Sequence, residues 1–264
     1  MGQLDFTYIK SGLATPEYGD AQAHLDFASN VLNNEGDFCR KWRTTEGSVG
    51  GLVPKGVFAF PLAENLSNIP STRAISLRAL LRVPSTVSVG TEENVVTHPN
   101  NAVVGLRVKT KGQVAPADPV YNDNNNLVGF TSAGYAFAMS SGQLYSNMSI
   151  SQGNTPNISL SGSLNTSAAA NQWHRLRLDV IPIEHRGEII IDHLIYYTGD
   201  GATSSVTWTK IAEFFVEATD SNFIPWDNAD FIRNGFFVCN RDSASFSYPV
   251  EGFVDSFEIR TSAV

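Results

Sequence analysis

The sequence predicts an all-β protein: a two-sheet antiparallel β-sandwich with little helix. Three observations carry this. Apolar residues recur with period two along most of the chain, as strands require. Short runs of this kind are separated by Gly, Asn and Pro, the punctuation of a sandwich or barrel. No stretch of 12 or more residues holds a clean 3.6-residue period. The 16 Phe and 4 Trp suit a thick core between broad sheets. The 264 residues show no internal repeat and no composition break. They read as one sandwich domain, residues 21–264, preceded by an N-terminal arm, residues 1–20.

In the arm, Leu4, Phe6, Tyr8 and Ile9 nearly alternate before Gly12, Pro16 and Gly19. Such a segment suits a strand added to another chain's sheet edge, or an edge strand of the sandwich itself. Asp20 to Asn33 places Ala21, Leu25, Ala28 and Leu32 roughly on one helical face. Its Asn and Asp content, and the Asn33-Asn34-Glu35-Gly36 that follows, fit strand plus turn equally well. Ala74 to Val83 reads AISLRALLRV, with Ile75, Leu77 and Ala79 opposite Ser76, Arg78 and Leu80. Ala102 to Lys109 is a further strand. Trp173 to Val180 sets Trp173, Arg175, Arg177 and Asp179 against His174, Leu176, Leu178 and Val180.

Glu188 to Tyr197 is a strand in which Glu188 and Asp192 share a face with Ile190 and Leu194; both acids read as solvated edge charges. Thr198-Gly199-Asp200-Gly201 is a compact turn leading to Thr207-Trp208-Thr209-Lys210-Ile211, a hairpin signal. Glu213 to Ala218 fits a strand or one helical turn. Gly235 to Asn240 is a strand, and Val250 to Arg260 closes the set, with Phe253, Phe257 and Ile259 expected to enter the core together. Trp173 is expected inside or at a sheet edge. Residues 112–126, 153–170 and 219–234 read as loops.

The charge balance excludes several roles. Eighteen Lys and Arg against 26 Asp and Glu leave a net charge of −8, against the basic surface of nucleic-acid binders and of proteins held on anionic membranes. Apolar stretches such as Val57 to Leu62 are far shorter than the roughly 20 residues of a membrane-spanning helix. Met1-Gly2-Gln3-Leu4-Asp5 shows neither a basic n-region nor an apolar h-region, so no secretory signal is expected. Cys39 and Cys239 form no CxxC pair. A Cys39–Cys239 disulfide is conceivable, since the first and last strands of a sandwich often lie close, but two separate thiols are expected, since nothing marks an oxidising compartment.

Little in the chain announces chemistry. G-x-S-x-G, P-loop and Rossmann glycine patterns are absent. His185 and His193 lack a third ligand at metal-binding spacing. Asp123, within the run Asn122 to Asn126, could offer oxygens to Ca²⁺, but EF-hand spacing is missing and a plain turn is expected. Trp226, in Pro225-Trp226-Asp227-Asn228, could form a sugar platform with Tyr121. The favoured reading has it anchor its loop to the sandwich. No catalytic residue, metal ligand or cofactor is assigned, and no ligand-binding residue is named.

The order of cues from Leu127 onward resembles the concanavalin A-like (laminin G-like) β-sandwich. These are Gly134 to Phe137; the Trp173-His-Arg-Leu176-Arg-Leu178 strand; the hairpin through Asp200-Gly201; and Gly252 to Ile259, similar to the closing x-x-D-x-F-x-I strand. One glycoside hydrolase family of this superfamily carries Glu-x-Asp-x-x-Glu, and retaining enzymes need two carboxyl groups about 5 Å apart. Glu251, Asp255 and Glu258 do not match that spacing, so no enzymatic activity is expected, and Asp255 reads as a structural residue. Signal-less modules of this kind resemble bacteriophage virion components. That implies a capsid decoration, tail or fibre protein, made in the host cytoplasm and located in the virion. Its partners would be other virion proteins, further copies of itself and a host-surface glycan, with no nucleic acid and no membrane insertion. The alternatives are a lectin-like carbohydrate-binding module and, behind it, a polysaccharide-cleaving enzyme.

Overall fold

The computed structural model describes residues 7–11, 16–19, 24–32, 38–43, 57–59, 73–91, 93–110, 135–147, 163–164, 166–200, 205–220, 223, 225–226, 233–240 and 250–263. Every element among them is a strand, and every paired neighbour is antiparallel. The all-β sandwich read from the sequence is the fold observed.

The first sheet has eight strands. Its order is β15 (Thr207–Glu217), β14 (Glu188–Asp200), β13 (Trp173–His185), β6 (Arg73–Arg82), β17 (Glu251–Ala263), β4 (Phe38–Arg43) and β3 (His24–Leu32). β1 (Thr7–Ser11) pairs with the C-terminal half of β17, which meets β4 through its N-terminal half. Of the two placements open to the arm, β1 here lies along the chain's own β17. The second sheet runs β12 (Ser163–Leu164), β11 (Gln143–Asn147), β10 (Tyr135–Ser140), β9 (Ala102–Thr110), β16 (Arg233–Asn240), β5 (Val57–Ala59) and β2 (Pro16–Gly19). A separate hairpin, β7 (Thr86–Thr91) with β8 (Asn94–Pro99), connects β6 of one sheet to β9 of the other.

The core follows from the period-two pattern, since alternate side chains of a strand point to one face. Ile75, Leu77 and Ala79 of β6, and Leu176, Leu178 and Val180 of β13, pack against Val104, Leu106 and Val108 of β9 and Tyr135, Phe137 and Met139 of β10. Tyr196 is enclosed edge-on by Phe137 and Phe214, with ring centroids 5.2 and 5.6 Å away. The stretch open between helix and strand at Asp20 to Asn33 holds strand β3, and Glu213 to Ala218 continues strand β15. Thr198 to Asp200, expected in a compact turn, belong to β14 instead.

One facing is corrected. Phe257 and Ile259 enter the core with Val254, but Phe253 does not join them. The pairing of β17 with β6 shifts between Asp255 and Glu258, where Ser256 takes a positive φ of 48°. This bulge reverses the alternation. Phe253 therefore lies on the opposite face of the sheet, where it is still buried, edge-on to Trp173 at 6.3 Å and under the Arg82 guanidinium. Trp173 is half-buried there, on a strand interior to the sheet. The side chains of Cys39 and Cys239 lie outside the described residues.

Candidate functional site

The outer face of the eight-stranded sheet carries the polar halves of the alternating strands. Strand register sets them in rows. Lys210, Tyr197, Arg177, Arg78 and Glu258 follow one another across β15, β14, β13, β6 and β17. The row on one side reads Trp208, Gly199, Arg175, Leu80 and Asp255; the row on the other holds Glu213, Ile195, Asp179, Ser76 and Arg260. Four guanidiniums, of Arg78, Arg175, Arg177 and Arg260, thus share a small area with the carboxylates of Asp179, Asp255 and Glu258.

Two of the arginines are locked to neighbouring acids. Arg177 donates through Nε to both oxygens of Asp179, at 2.8 and 3.0 Å, and lies 4.5 Å above the Tyr197 ring centroid. Arg260 donates to Glu258 at 2.8 Å. Arg78 donates through Nε to Ser76 Oγ at 3.3 Å, and among the described residues it forms no ion pair. Burial, then the charges of Arg177 and Arg260, lower its pKa to about 10 against the opposing pull of Asp179 and Glu258, so the guanidinium stays protonated at neutral pH.

Trp208 completes the site. Its ring centroid lies 5.6 Å from the Arg78 guanidinium and 5.9 Å from that of Arg177. The indole can lie across the sheet because its partner on β14 is Gly199. A Cβ there would stand 2.7 Å from Val206 Cγ1 and 2.9 Å from Trp208 Cζ3. Between Trp208 and the bulge of β17 lies a cavity of about 240 Å³, lined by Arg78, Arg175, Trp208, Ser256, Glu258 and Arg260. It is smaller than the pockets of drug-sized ligands, which start near 300 Å³.

A second cluster is buried. Asp192 projects inward from β14 and is fully enclosed, which corrects its reading as a solvated edge charge. Its Oδ2 accepts from Lys109 Nζ and from Tyr135 Oη, both at 2.6 Å, and its Oδ1 from Trp226 Nε1 at 2.6 Å. Lys109 would face outward in a regular β9. A positive φ of 53° at Lys109, opposite a register shift in β16, turns it inward to bridge the two sheets. Its Nζ lies 4.0 Å from the Trp226 ring centroid, and burial lowers its pKa from 10.5 to about 8 against the attraction of Asp192. This network anchors Trp226 to the sandwich, the role favoured for it in the sequence, and takes it out of the running as an exposed platform.

The remaining candidates are dispersed. Asp255 accepts from the Ser256 amide at 2.7 Å within the bulge. Glu188 and His185 are exposed at the β13–β14 turn. His193 stacks on Phe215, centroids 4.2 Å apart, with Nε2 3.2 Å from Glu213 Oε2. Hydrogen bonds from Lys210 and His193 hold the Glu213 carboxyl below its ordinary pKa. Among the described residues no three His, Cys, Asp or Glu side chains are grouped to hold a metal. Tyr121 and Asp123 lie outside the described residues. The arginine cluster was visible in the sequence only as the polar sides of two strands; Trp208 carried no signal beyond its place in a hairpin.

No protein-family model matches the chain, and no curated protein sequence matches it. Solved structures do. A PL-14 alginate lyase from Aplysia kurodai is 12% identical with a TM-score of 0.45, over 96% of this chain and 98% of that one. A GH43 glycoside hydrolase is 12% identical with a TM-score of 0.45, over 98% of this chain and 41% of that one. The binding domain of botulinum neurotoxin DC, in complex with SialylT, is 10% identical with a TM-score of 0.39, over 94% of this chain and 42% of that one. The likeness is one of β-sandwich architecture. The bacteriophage assignment is corrected by these findings: the neighbours are carbohydrate-active enzymes and toxin binding domains, and nothing links the chain to a virion. The capsid, tail and fibre roles, and the virion partners that came with them, are set aside.

Proposed function

We propose that this protein is a carbohydrate-binding β-sandwich that receives a glycan on the outer face of its eight-stranded sheet, and that it binds the glycan without cleaving it. One observation carries the reading: Trp208 lies across Gly199 beside a small cavity edged by arginines. An aromatic face bordered by fixed hydrogen-bond donors matches a sugar ring, which offers an apolar face and an equatorial rim of oxygens. Arg177 is held in place by Asp179 and Tyr197, and Arg260 by Glu258, so their orientation is set before a ligand arrives. Binding without cleavage is supported by the acids themselves. Asp179 and Glu258 are each tied to an arginine on their own strand, so their oxygens are already engaged rather than presented to a ligand as an acid and base pair.

The test is a glycan array followed by calorimetry on the wild type, Trp208→Ala and Trp226→Ala. The expected result is a glycan whose affinity falls at least about 10-fold in Trp208→Ala, as for loss of a stacking contact near 1.4 kcal/mol, with an unchanged melting temperature. Binding indifferent to Trp208→Ala overturns the site, as does binding lost only in Trp226→Ala. Release of new reducing ends from the bound polysaccharide overturns the non-catalytic part.

A further inference from the structure

Resting on that reading, we infer that the glycan taken by this face is acidic, and that Arg78 receives its anionic group, a carboxylate or a sulfate ester, beside the Trp208 ring. The protein as a whole is acidic, with a net charge of −8, so a general positive field does not explain anion binding. The placement of charge on this face does. Lys210, Arg78, Arg175, Arg177 and Arg260 occupy adjoining rows with one fewer carboxylate among them: Asp179, Glu213, Asp255 and Glu258. Arg177 and Arg260 are bound to acids on their own strands.

Arg78 is different. It is flanked by those two guanidiniums, half-buried, and its hydrogen bond from Nε goes to a neutral hydroxyl, Ser76 Oγ. Burial first, and then the like charges of Arg177 and Arg260, raise the cost of its charge, and Asp179 and Glu258 offset only part of it. A ligand anion relieves the remainder. Guanidinium is suited to the task, because its planar fork meets two oxygens of a carboxylate or sulfate at once. Arg78 also lines the 240 Å³ cavity together with Trp208, so an anion there belongs to a ring stacked on the indole rather than to a free ion. The cavity floor is fixed by the bulge at Ser256, which pulls β17 out of register with β6 beside Arg78.

The experiment compares three oligosaccharides of equal length by calorimetry: an oligouronate, a sulfated oligosaccharide and a neutral one. Each is titrated into the wild type, Arg78→Met and Trp208→Ala at low and high NaCl. The expected result is at least about 10-fold tighter binding of one charged oligosaccharide than of the neutral one, within the 10- to 100-fold that a charge-assisted contact is worth. That preference should shrink at high salt and vanish in Arg78→Met, and the charged ligand that shows it identifies the anion. Equal affinity for charged and neutral ligands, both weakened by Trp208→Ala, overturns the acidic assignment and leaves the carbohydrate site standing. No binding of any of the three, together with an empty glycan array, overturns both. If Arg78→Met does not fold, the wild-type salt series decides: a charged-ligand affinity insensitive to NaCl contradicts the inference.

Discussion

Replacing Asp192 by Asn tests how the two sheets are locked together. Asp192 is fully buried and collects three donors, Lys109 Nζ, Tyr135 Oη and Trp226 Nε1, each at 2.6 Å. Asn keeps the shape but removes the charge, leaving the Lys109 ammonium enclosed by Tyr135, Phe223 and Trp226 without its counter-ion. Breaking a buried pair from one side costs about 3–5 kcal/mol, a large share of the 5–15 kcal/mol typical of a domain. Lys109→Met strands the opposite charge and should cost a similar amount. Removing both charges in Lys109→Met/Asp192→Leu spares the ion desolvation but deprives Tyr135 and Trp226 of this acceptor, at about 1–3 kcal/mol each. Adding Tyr135→Phe removes one of these two losses, so the triple variant should be more stable than either charge-stranding single. Urea unfolding followed by Trp fluorescence measures each variant, with the midpoint shift read at constant m. A loss under about 1 kcal/mol in Asp192→Asn, or a triple variant no better than the singles, would refute a paired, charged network.

Other expectations follow from the same packing. Phe257→Ala should cost about 3–5 kcal/mol as a core truncation, and a loss under about 1 kcal/mol in urea unfolding would contradict its place between the sheets. Lys109 has a folded pKa near 8 against 10.5 unfolded, so between those values the unfolded chain holds more protons and stability rises with pH. Relative to Lys109→Met, the wild type should gain about 2 kcal/mol from pH 7 to pH 9.5; a flat difference would reject the shift. The gain levels off above about pH 10.5, where the unfolded lysine loses its proton as well. Tyr196 Oη has no hydrogen-bond partner among the described residues, so Tyr196→Phe should leave stability equal or raise it, as read from the thermal midpoint.

The parts of the fold that were legible are those where alternation runs unbroken. In β6 and β13 the inward Ile75, Leu77, Leu176 and Leu178, and the outward Arg78, Arg175 and Arg177, follow from period two alone. Legibility ends at bulges. Ser256 and Lys109 both take positive φ without the glycine that would mark it, so Phe253 and Lys109 stand on faces that counting by twos assigns wrongly. Asp192 looked like an edge charge because its partner lies 83 residues away on the other sheet, a pairing that only the fold creates. The outer-face site was half visible. Arginines at alternate positions were plain, but which strands are neighbours, and that Gly199 serves Trp208 rather than a turn, required the register.

The central claim is where a sugar sits, and a crystal structure of the protein with a bound oligosaccharide tests it most directly. The account expects a pyranose ring stacked on Trp208, with oxygens within hydrogen-bond distance of Arg78 or Arg175 on the outer face of the eight-stranded sheet. A sugar held elsewhere, at the β7–β8 hairpin or against the second sheet, with the Trp208 cavity occupied only by solvent, would contradict it.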